Sequence, residues 1–583
     1  MRDQTVNDLL DLKNIEEVRL SPKGNIIGSI VADNFREYRR KEIKKTVYIF
    51  DEGFNVLHKY DGYGLHSLTF SPAGYAAFAE GNEIVLMGDE GIPAKYDTGM
   101  KVETIGFMSG RILFTGQPEV KRSEDDAYFF EEEDQFTNLY MIDDHGISKI
   151  TDKMQIWEFA AAGDSIYAVA SDCPQESCWY RSKVYRIVPG KEPEMIYDPG
   201  KRQIGKITAD GERTAFLESV MSDRGVISGD VILYDESIHN LTAGSDFSYS
   251  HVILKSGSVY ALENDRTTFR IRDLGNNKLV WAGTGIVLPA YSPAFDYSSG
   301  SFAFAFSSPM EPPEIYLLKN DLTKSAVNSG LKEISAYPSE IVEWKSRDGT
   351  GIYGILRAKN PNDPLIVYVH GGPTSFSYGS FLDRTSVYLG YGFSVFAPNY
   401  RGSVGKGREY AELNVGDLGG MDFEDIISGI QHLNDTGKIK TDRIYITGGS
   451  YGGYMSALAV MKTDLFKASV SLFGISDWVS FHGTSNLYLW DRLHMDDDPW
   501  AFGKYDEYSP IRMKHDPKTP VLLMHGIRDP YVPIGQYYEF YRFLKEKGCE
   551  VRMIVFPREG HGFNEKEHIR RQYIETIKFM REH

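Results

Sequence analysis

The sequence predicts two domains: an N-terminal all-β propeller of about seven blades, then a C-terminal α/β domain with a doubly wound, mostly parallel sheet. Three observations predict this. A turn ending in glycine recurs through the first half. The hydrophobic period changes near Glu340. A glycine-rich turn, Gly448-Gly449-Ser450-Tyr451-Gly452-Gly453, stands between a strand-like run and a helical one.

The recurring unit is a short strand, a turn and a second strand. Clear copies are Leu20-Ser21-Pro22-Lys23-Gly24, Phe70-Ser71-Pro72-Ala73-Gly74 and Ala209-Asp210-Gly211, with weaker ones ending at Gly110, Gly163, Gly257 and Gly300. Gly24 to Gly300 is 276 residues in six steps, a mean of 46. That is the length of one four-stranded propeller blade. The 37 Tyr and 32 Phe residues suit strands. We assign residues 15–325 to the propeller, 326–583 to the α/β domain and 1–14 to an N-terminal segment.

In the second half, Ile341 to Trp344 and Ile352 to Leu356 read as a hairpin around Asp348-Gly349. Pro364–Val369, Phe393–Ala397, Arg443–Thr447, Ala468–Phe473, Val521–Met524 and Val551–Val555 are strand runs. Phe423, Ile426, Ile427, Ile430 and Leu433 keep helical spacing, and Gly437 ends that helix. Alternating strands and helices give a parallel sheet covered on both faces. Ligand sites in such sheets lie beyond the carboxyl ends of the strands.

Three chemically active residues fall at such ends. Ser450 sits in G-x-S-x-G between strand and helix, the setting of a nucleophile elbow. A serine hydroxyl needs a base, and the α/β-hydrolase order is Ser, acid, His. Asp529 follows 79 residues later in His525-Gly526-Ile527-Arg528-Asp529, and His561 32 residues after that in Gly560-His561-Gly562. His561 is then the general base and Asp529 its orienting carboxylate. His525 is a rival base that we read as structural. Oxyanion donors are the Tyr451 amide and an amide of His370-Gly371-Gly372-Pro373. A histidine base predicts activity that falls as the imidazole protonates. Arg401–Gly407 looks like a phosphate loop, but its spacing fits no phosphate-binding motif, and we read it as a strand-to-helix loop near the cleft.

Composition narrows the partners. There are 82 acidic residues against 64 basic, a formal net charge of −18, which argues against nucleic acid or an anionic membrane surface. The first twenty residues are charged and no apolar run nears a membrane span, so no signal peptide or anchor is expected. Three cysteines exclude a disulfide framework; Cys173 and Cys178 are close enough to pair, and nothing nearby completes a zinc site. We expect a reducing, cytoplasmic setting, no metal and no organic cofactor.

The motifs His370–Pro373, Asn399-Tyr400-Arg401-Gly402-Ser403, Gly448–Gly453, His525–Asp529 and Gly560–Phe563 resemble those of the prolyl oligopeptidase family, and are most similar to its acylaminoacyl-peptidase branch. The resemblance covers roughly Glu340 to His583, and a propeller is that family's other half. It implies a serine peptidase that releases N-acylated amino acids from short peptides, with the propeller restricting access. Alternatives are a dipeptidyl aminopeptidase or oligoendopeptidase of the same family, or a broad esterase on the same fold. The resemblance implies an oxyanion hole from Tyr451 and Gly372, and an S1 wall of Tyr451, Trp478 and Val532 with Phe481. It also implies an N-terminal helix, over Thr5 to Leu12, against the hydrolase domain. Many members carry Arg or Asn two residues after the catalytic Asp; here Tyr531 stands there. The acidic segments Glu124-Asp125-Asp126 and Glu131–Asp134 are the candidate binders of a free substrate amine. Short peptides are the expected partners; a homo-oligomer is left open.

Overall fold

The computed structural model describes residues 2–120, 127–132, 134–225, 228–290, 292–331 and 339–583. Glu124, Asp125, Asp126 and Glu133 of the acidic segments lie outside the described residues.

Seven antiparallel sheets follow one another along the chain, at 13–63, 65–97, 100–149, 155–197, 203–240, 248–284 and 286–324. They are the blades of a propeller. In each blade one hairpin turn carries the repeat glycine: Gly24, Gly74, Gly110, Gly163, Gly211, Gly257 and Gly300 all have positive φ, between 59° and 95°. A side chain there would be strained, which is why the glycine repeats. The second strand of a blade is sandwiched between neighbouring blades, so Ile166–Ala170 is buried throughout and reads as a continuous apolar run. Blade seven meets blade one side by side, with Leu20 N–H donating to Asp296 (2.7 Å) and Ser298 Oγ to the Pro22 carbonyl (3.0 Å).

The second domain has one eight-stranded sheet. Its strands are β1 (Glu340–Lys345), β2 (Gly351–Arg357), β3 (Leu365–Val369), β4 (Ser394–Asn399), β5 (Ile444–Gly449), β6 (Ala468–Leu472), β7 (Val521–Gly526) and β8 (Val551–Phe556), in spatial order β1-β2-β4-β3-β5-β6-β7-β8. β2 is antiparallel to β1 and β4, and every other pair is parallel. This is the α/β-hydrolase sheet. Side chains alternate between its faces. Val367 and Ile446 meet Phe423 and Ile426 of α2 (Met421–Asp435) and Tyr454 and Leu458 of α3 (Tyr451–Lys462). Ile366 and Tyr445 face the other way, toward the C-terminal helix at Ile569 and Tyr573. Helix α1 (Arg2–Asp11) lies on that second face, with Val6, Leu9 and Leu10 in the same cluster and Asn7 accepting a hydrogen bond from Arg570 (2.8 Å).

Polar contacts bind the domains together. Arg36 of blade one pairs with buried Glu559 at 2.6 Å, two residues before His561. Arg408 reaches Asp230 (2.9 Å) and Glu218 (3.3 Å) of blade five. The loop that mimics a phosphate site instead docks on the propeller: Gly405 and Gly407 N–H both donate to Ser248 Oγ (2.8 and 3.2 Å). Cys173 and Cys178 form a disulfide across a short loop of blade four. Among the described residues no helix is long and apolar enough to cross a membrane.

Candidate active site

The turn after β5 is tight because both flanks are backbone. A Cβ on Gly452 would lie 2.1 Å from the Val369 carbonyl oxygen, and one on Gly453 2.3 Å from that of Leu472. Ser450 at its apex has φ 58° and ψ −121°, a strained conformation for a residue with a side chain. Its N–H donates to the Leu472 carbonyl (3.0 Å), and its own carbonyl accepts from Tyr454 as α3 begins. The hydroxyl is thereby held at the top of the sheet beside a helix N-terminus.

Asp529 follows β7 and His561 follows β8. His561 Nδ1 donates to Asp529 Oδ2 at 2.8 Å. Asp529 Oδ1 accepts the N–H groups of Tyr531 (3.0 Å) and Val532 (2.9 Å), which fixes the carboxylate from its own loop. Burial pushes this carboxyl up, but hydrogen bonds from His525 and His561 outweigh burial and hold it at about 2. The His561 ring is clamped edge-on between Phe473 (5.1 Å) and Tyr531 (5.5 Å).

Ser450, His561, Tyr451 and Gly372 line one cavity of about 400 Å³. The Tyr451 amide is in the first turn of α3, where N–H groups have no partner within the helix. The Tyr451 hydroxyl is tied down, donating to buried Asp422 at 2.5 Å. Burial pushes the Asp422 carboxyl up to about 7. On the loop carrying Gly372, His370 stacks on Tyr400 (4.5 Å) and meets Ser403 Oγ (2.9 Å). The HGGP and NYRGS segments therefore brace each other, and burial lowers His370 to about 4.

The expected S1 wall is partly redrawn. Phe481 and Val532 line the cavity beside Ile475, Leu487, Trp490 and Tyr531. Trp478 does not: it is fully buried behind them, edge-on to Phe481 (5.5 Å) and tilted against Trp490 (5.9 Å). The reason lies in the local chain. Asp477 caps α4 (Trp478–Thr484) through the Val479 and Ser480 amides, and the Trp478 N–H is held by Ser509, so residue 478 turns inward.

The opposite wall comes from the propeller and carries Glu176, Ser222, Asp223 and Arg224. Sequence reading missed these residues. They sit on inter-strand loops of blades four and five, and a charged turn in sequence carries no sign that it faces a cleft. Arg224 pairs with Glu176 through Nε (3.2 Å) and Nη2 (3.3 Å) and lies over the Trp157 ring (5.3 Å). Ser222 Oγ accepts the Thr374 N–H at 2.6 Å, tying this wall to the loop that carries Gly372. In the acidic segment that is the candidate amine binder, Glu131, Glu132 and Asp134 are exposed and none lines the cavity; Asp134 accepts from Gln175 instead. Among the described residues no cluster of His, Cys, Asp and Glu is placed to hold a metal ion.

Residues 380–583 match the family model described as the Prolyl oligopeptidase family. The chain is 30% identical over 292 residues to the uncharacterized peptidase YuxL of Bacillus subtilis (strain 168), a match covering 48% of this chain and 44% of that one. It is 29% identical over 328 residues to the acylamino-acid-releasing enzyme of Arabidopsis thaliana, covering 54% and 41%. The chain thus spans less than half the length of these curated relatives. Its fold is that of the Pyrococcus horikoshii acylaminoacyl peptidase, at a TM-score of 0.83 and 22% identity over 99% of this chain and 97% of that one. In its matching domain, its motifs and its architecture, the chain is similar to the prolyl oligopeptidase family and, among the relatives given above, to the acylamino-acid-releasing enzymes and acylaminoacyl peptidases.

Proposed function

We propose that this protein is a serine peptidase that cleaves short peptides through an acyl-enzyme on Ser450, releasing N-acylated amino acids from blocked N-termini. The observation that carries the reading is the 2.8 Å His561–Asp529 pair opening onto the same cavity as Ser450 on its strained elbow. With Nδ1–H fixed on Asp529, the other ring nitrogen is left to take the Ser450 proton during attack and return it to the leaving amine. The Tyr451 and Gly372 amides receive the oxyanion. Water then repeats the sequence on the acyl-enzyme.

Two features support a blocked peptide. The apolar wall of Ile475, Phe481, Leu487, Trp490 and Val532 favours an apolar P1 side chain. On the propeller wall Glu176 is already paired with Arg224, and Asp223 accepts the Gly225 N–H (2.7 Å). That arrangement leaves the guanidinium to meet neutral carbonyl oxygens, such as those of an acyl cap. A second reading rests on the same wall: two carboxylates and one guanidinium leave an excess negative charge, which suits the ammonium of a dipeptidyl substrate.

A substrate panel separates them. N-acetyl-phenylalanyl, free-amine dipeptidyl, internally blocked peptidyl anilides and a simple ester are compared by kcat/KM. The acetyl substrate is expected to lead. A lead of tenfold or more for the free-amine dipeptide overturns the acyl-peptide reading, and one for the ester overturns the peptidase reading. We keep the cytoplasmic setting expected from the sequence; there the Cys173–Cys178 bridge would meet a reducing thiol pool.

A further inference from the structure

Asp529 has one more partner than a Ser-His-Asp arrangement needs. His525, at the end of β7, is fully buried. Its Nε2 lies 2.7 Å from the Val532 carbonyl oxygen and 3.3 Å from Asp529 Oδ2, the same oxygen that accepts the His561 Nδ1–H hydrogen bond. A carbonyl only accepts, so Nε2 carries the hydrogen and offers it to Val532 and Asp529 together. Nδ1 is buried without a hydrogen-bond partner, so the polar contacts of the ring all run through Nε2. Tyr537 fixes the ring plane from behind, edge-on at 4.7 Å, and is itself held by Ser471 (2.5 Å) and the Gly474 N–H (2.8 Å).

We propose that His525 is a positioning residue: its shared Nε2–H anchors Asp529 Oδ2 and limits how strongly that oxygen draws on the His561 imidazole. The inference rests on the serine-hydrolase reading above. The carboxylate is met on both oxygens, by two backbone amides on Oδ1 and by the two imidazoles on Oδ2, His561 at 2.8 Å and His525 at 3.3 Å, so its plane is fixed from both sides. Hydrogen bonds from both histidines also keep the carboxyl low against the effect of burial.

The sign of the effect follows. Without the His525 donor, Asp529 becomes more basic, pulls harder on Nδ1–H and stabilises the His561 imidazolium. The acidic limb of activity then moves to higher pH. Other titratable groups around the pair are Tyr531 and Tyr537, with Glu176, Asp223 and Arg224 facing His561 across the cavity. Glu559, near His561 in the chain, is occupied by Arg36 and His568.

The test compares wild type, His525→Leu and His525→Gln by the pH profile of kcat/KM on an N-acetyl amino-acid anilide. Leu removes the donor; Gln keeps an amide N–H near the place of Nε2. Leu is expected to move the acidic limb up by about half to one pH unit, the scale of one charge-assisted hydrogen bond, and to lower the plateau about tenfold. Gln is expected to keep the wild-type limb and a plateau within about threefold. An unshifted limb in a folded Leu variant, or a Gln variant as impaired and shifted as Leu, overturns the proposal. Should the Leu variant not fold, histidine-labelled nitrogen NMR of the wild type decides: a hydrogen resident on His525 Nε2 supports it, and a ring carrying its hydrogen on Nδ1 alone overturns it. Wild type that fails to react with a fluorophosphonate would instead refute the serine-hydrolase reading itself.

Discussion

Ser450, Asp529 and His561 reach the cavity from the carboxyl ends of three parallel strands, whereas Glu176, Asp223 and Arg224 reach it from connections between propeller strands. The first set is fixed by the sheet. β5 and β7 flank β6 and β8 flanks β7, so residues far apart in the chain converge once the strand order is set. Around them the backbone leaves no slack: glycines touch carbonyls, Asp529 is buried, and His561 is wedged between two rings. The second set is more open: Arg224 is held by a bidentate pair with Glu176 and by the face of Trp157, and Asp223 accepts the Gly225 N–H of its own turn. In the function proposed above, the closely packed wall would carry the chemistry, and the wall facing the substrate would be carried on loops of a separate domain.

The largest effect should come from the closely packed wall. Ser450→Ala is expected to lower kcat by about 10⁴ to 10⁶, measured on an N-acetyl amino-acid anilide, with an unchanged melting temperature. A loss under tenfold would break the comparison at its base. Trp478→Ala tests whether the layer behind the apolar wall supports it. Emptying that fully buried site should destabilise the protein by about 3 to 5 kcal/mol in denaturant unfolding. A cost under about 1 kcal/mol would mean that Trp478 is not core.

Arg224→Ala sharpens the contrast. It should lower kcat/KM on blocked peptides by about ten- to a hundredfold, through the loss of a charge-assisted contact. Reaction of Ser450 with a small fluorophosphonate should change by less than about threefold, because the chemistry on the other wall is untouched. Equal losses in both assays would merge the two walls into one unit. The smallest effect concerns acid stability. Asp529 titrates at about 2 when folded and near 3.9 when unfolded, so the stability it contributes is present above about pH 4 and lost as pH falls through about 2. This amounts to about 2 kcal/mol. Urea unfolding at pH 5 and pH 2 should show that fraction of the pH dependence missing in Asp529→Asn.

The contrast also explains what could be read in advance. The seven turn glycines mark the blades because each needs positive φ, and no other residue type meets that need as cheaply. Ser450, Asp529 and His561 were legible because each follows an apolar strand run, and the strand-end rule turns one-dimensional order into a place. Trp478 was misplaced because a large aromatic beside a pocket fits lining and backing equally well; the cap by Asp477 decides its direction. Glu176 and Arg224 had no signal. They are 48 positions apart on different blades, and only blade packing brings them together. The Cys173–Cys178 pairing was legible only as a short spacing.

The central claim is that His561, held by Asp529, activates Ser450. The most direct measurement is the rate and site of fluorophosphonate attachment, read by peptide mass spectrometry across pH 5 to 9 in wild type and Asp529→Asn. The account predicts a single adduct on Ser450, formed more slowly as pH falls and far more slowly in the variant. An adduct on another residue, or labelling of Ser450 at one rate in both proteins and at every pH, would contradict it.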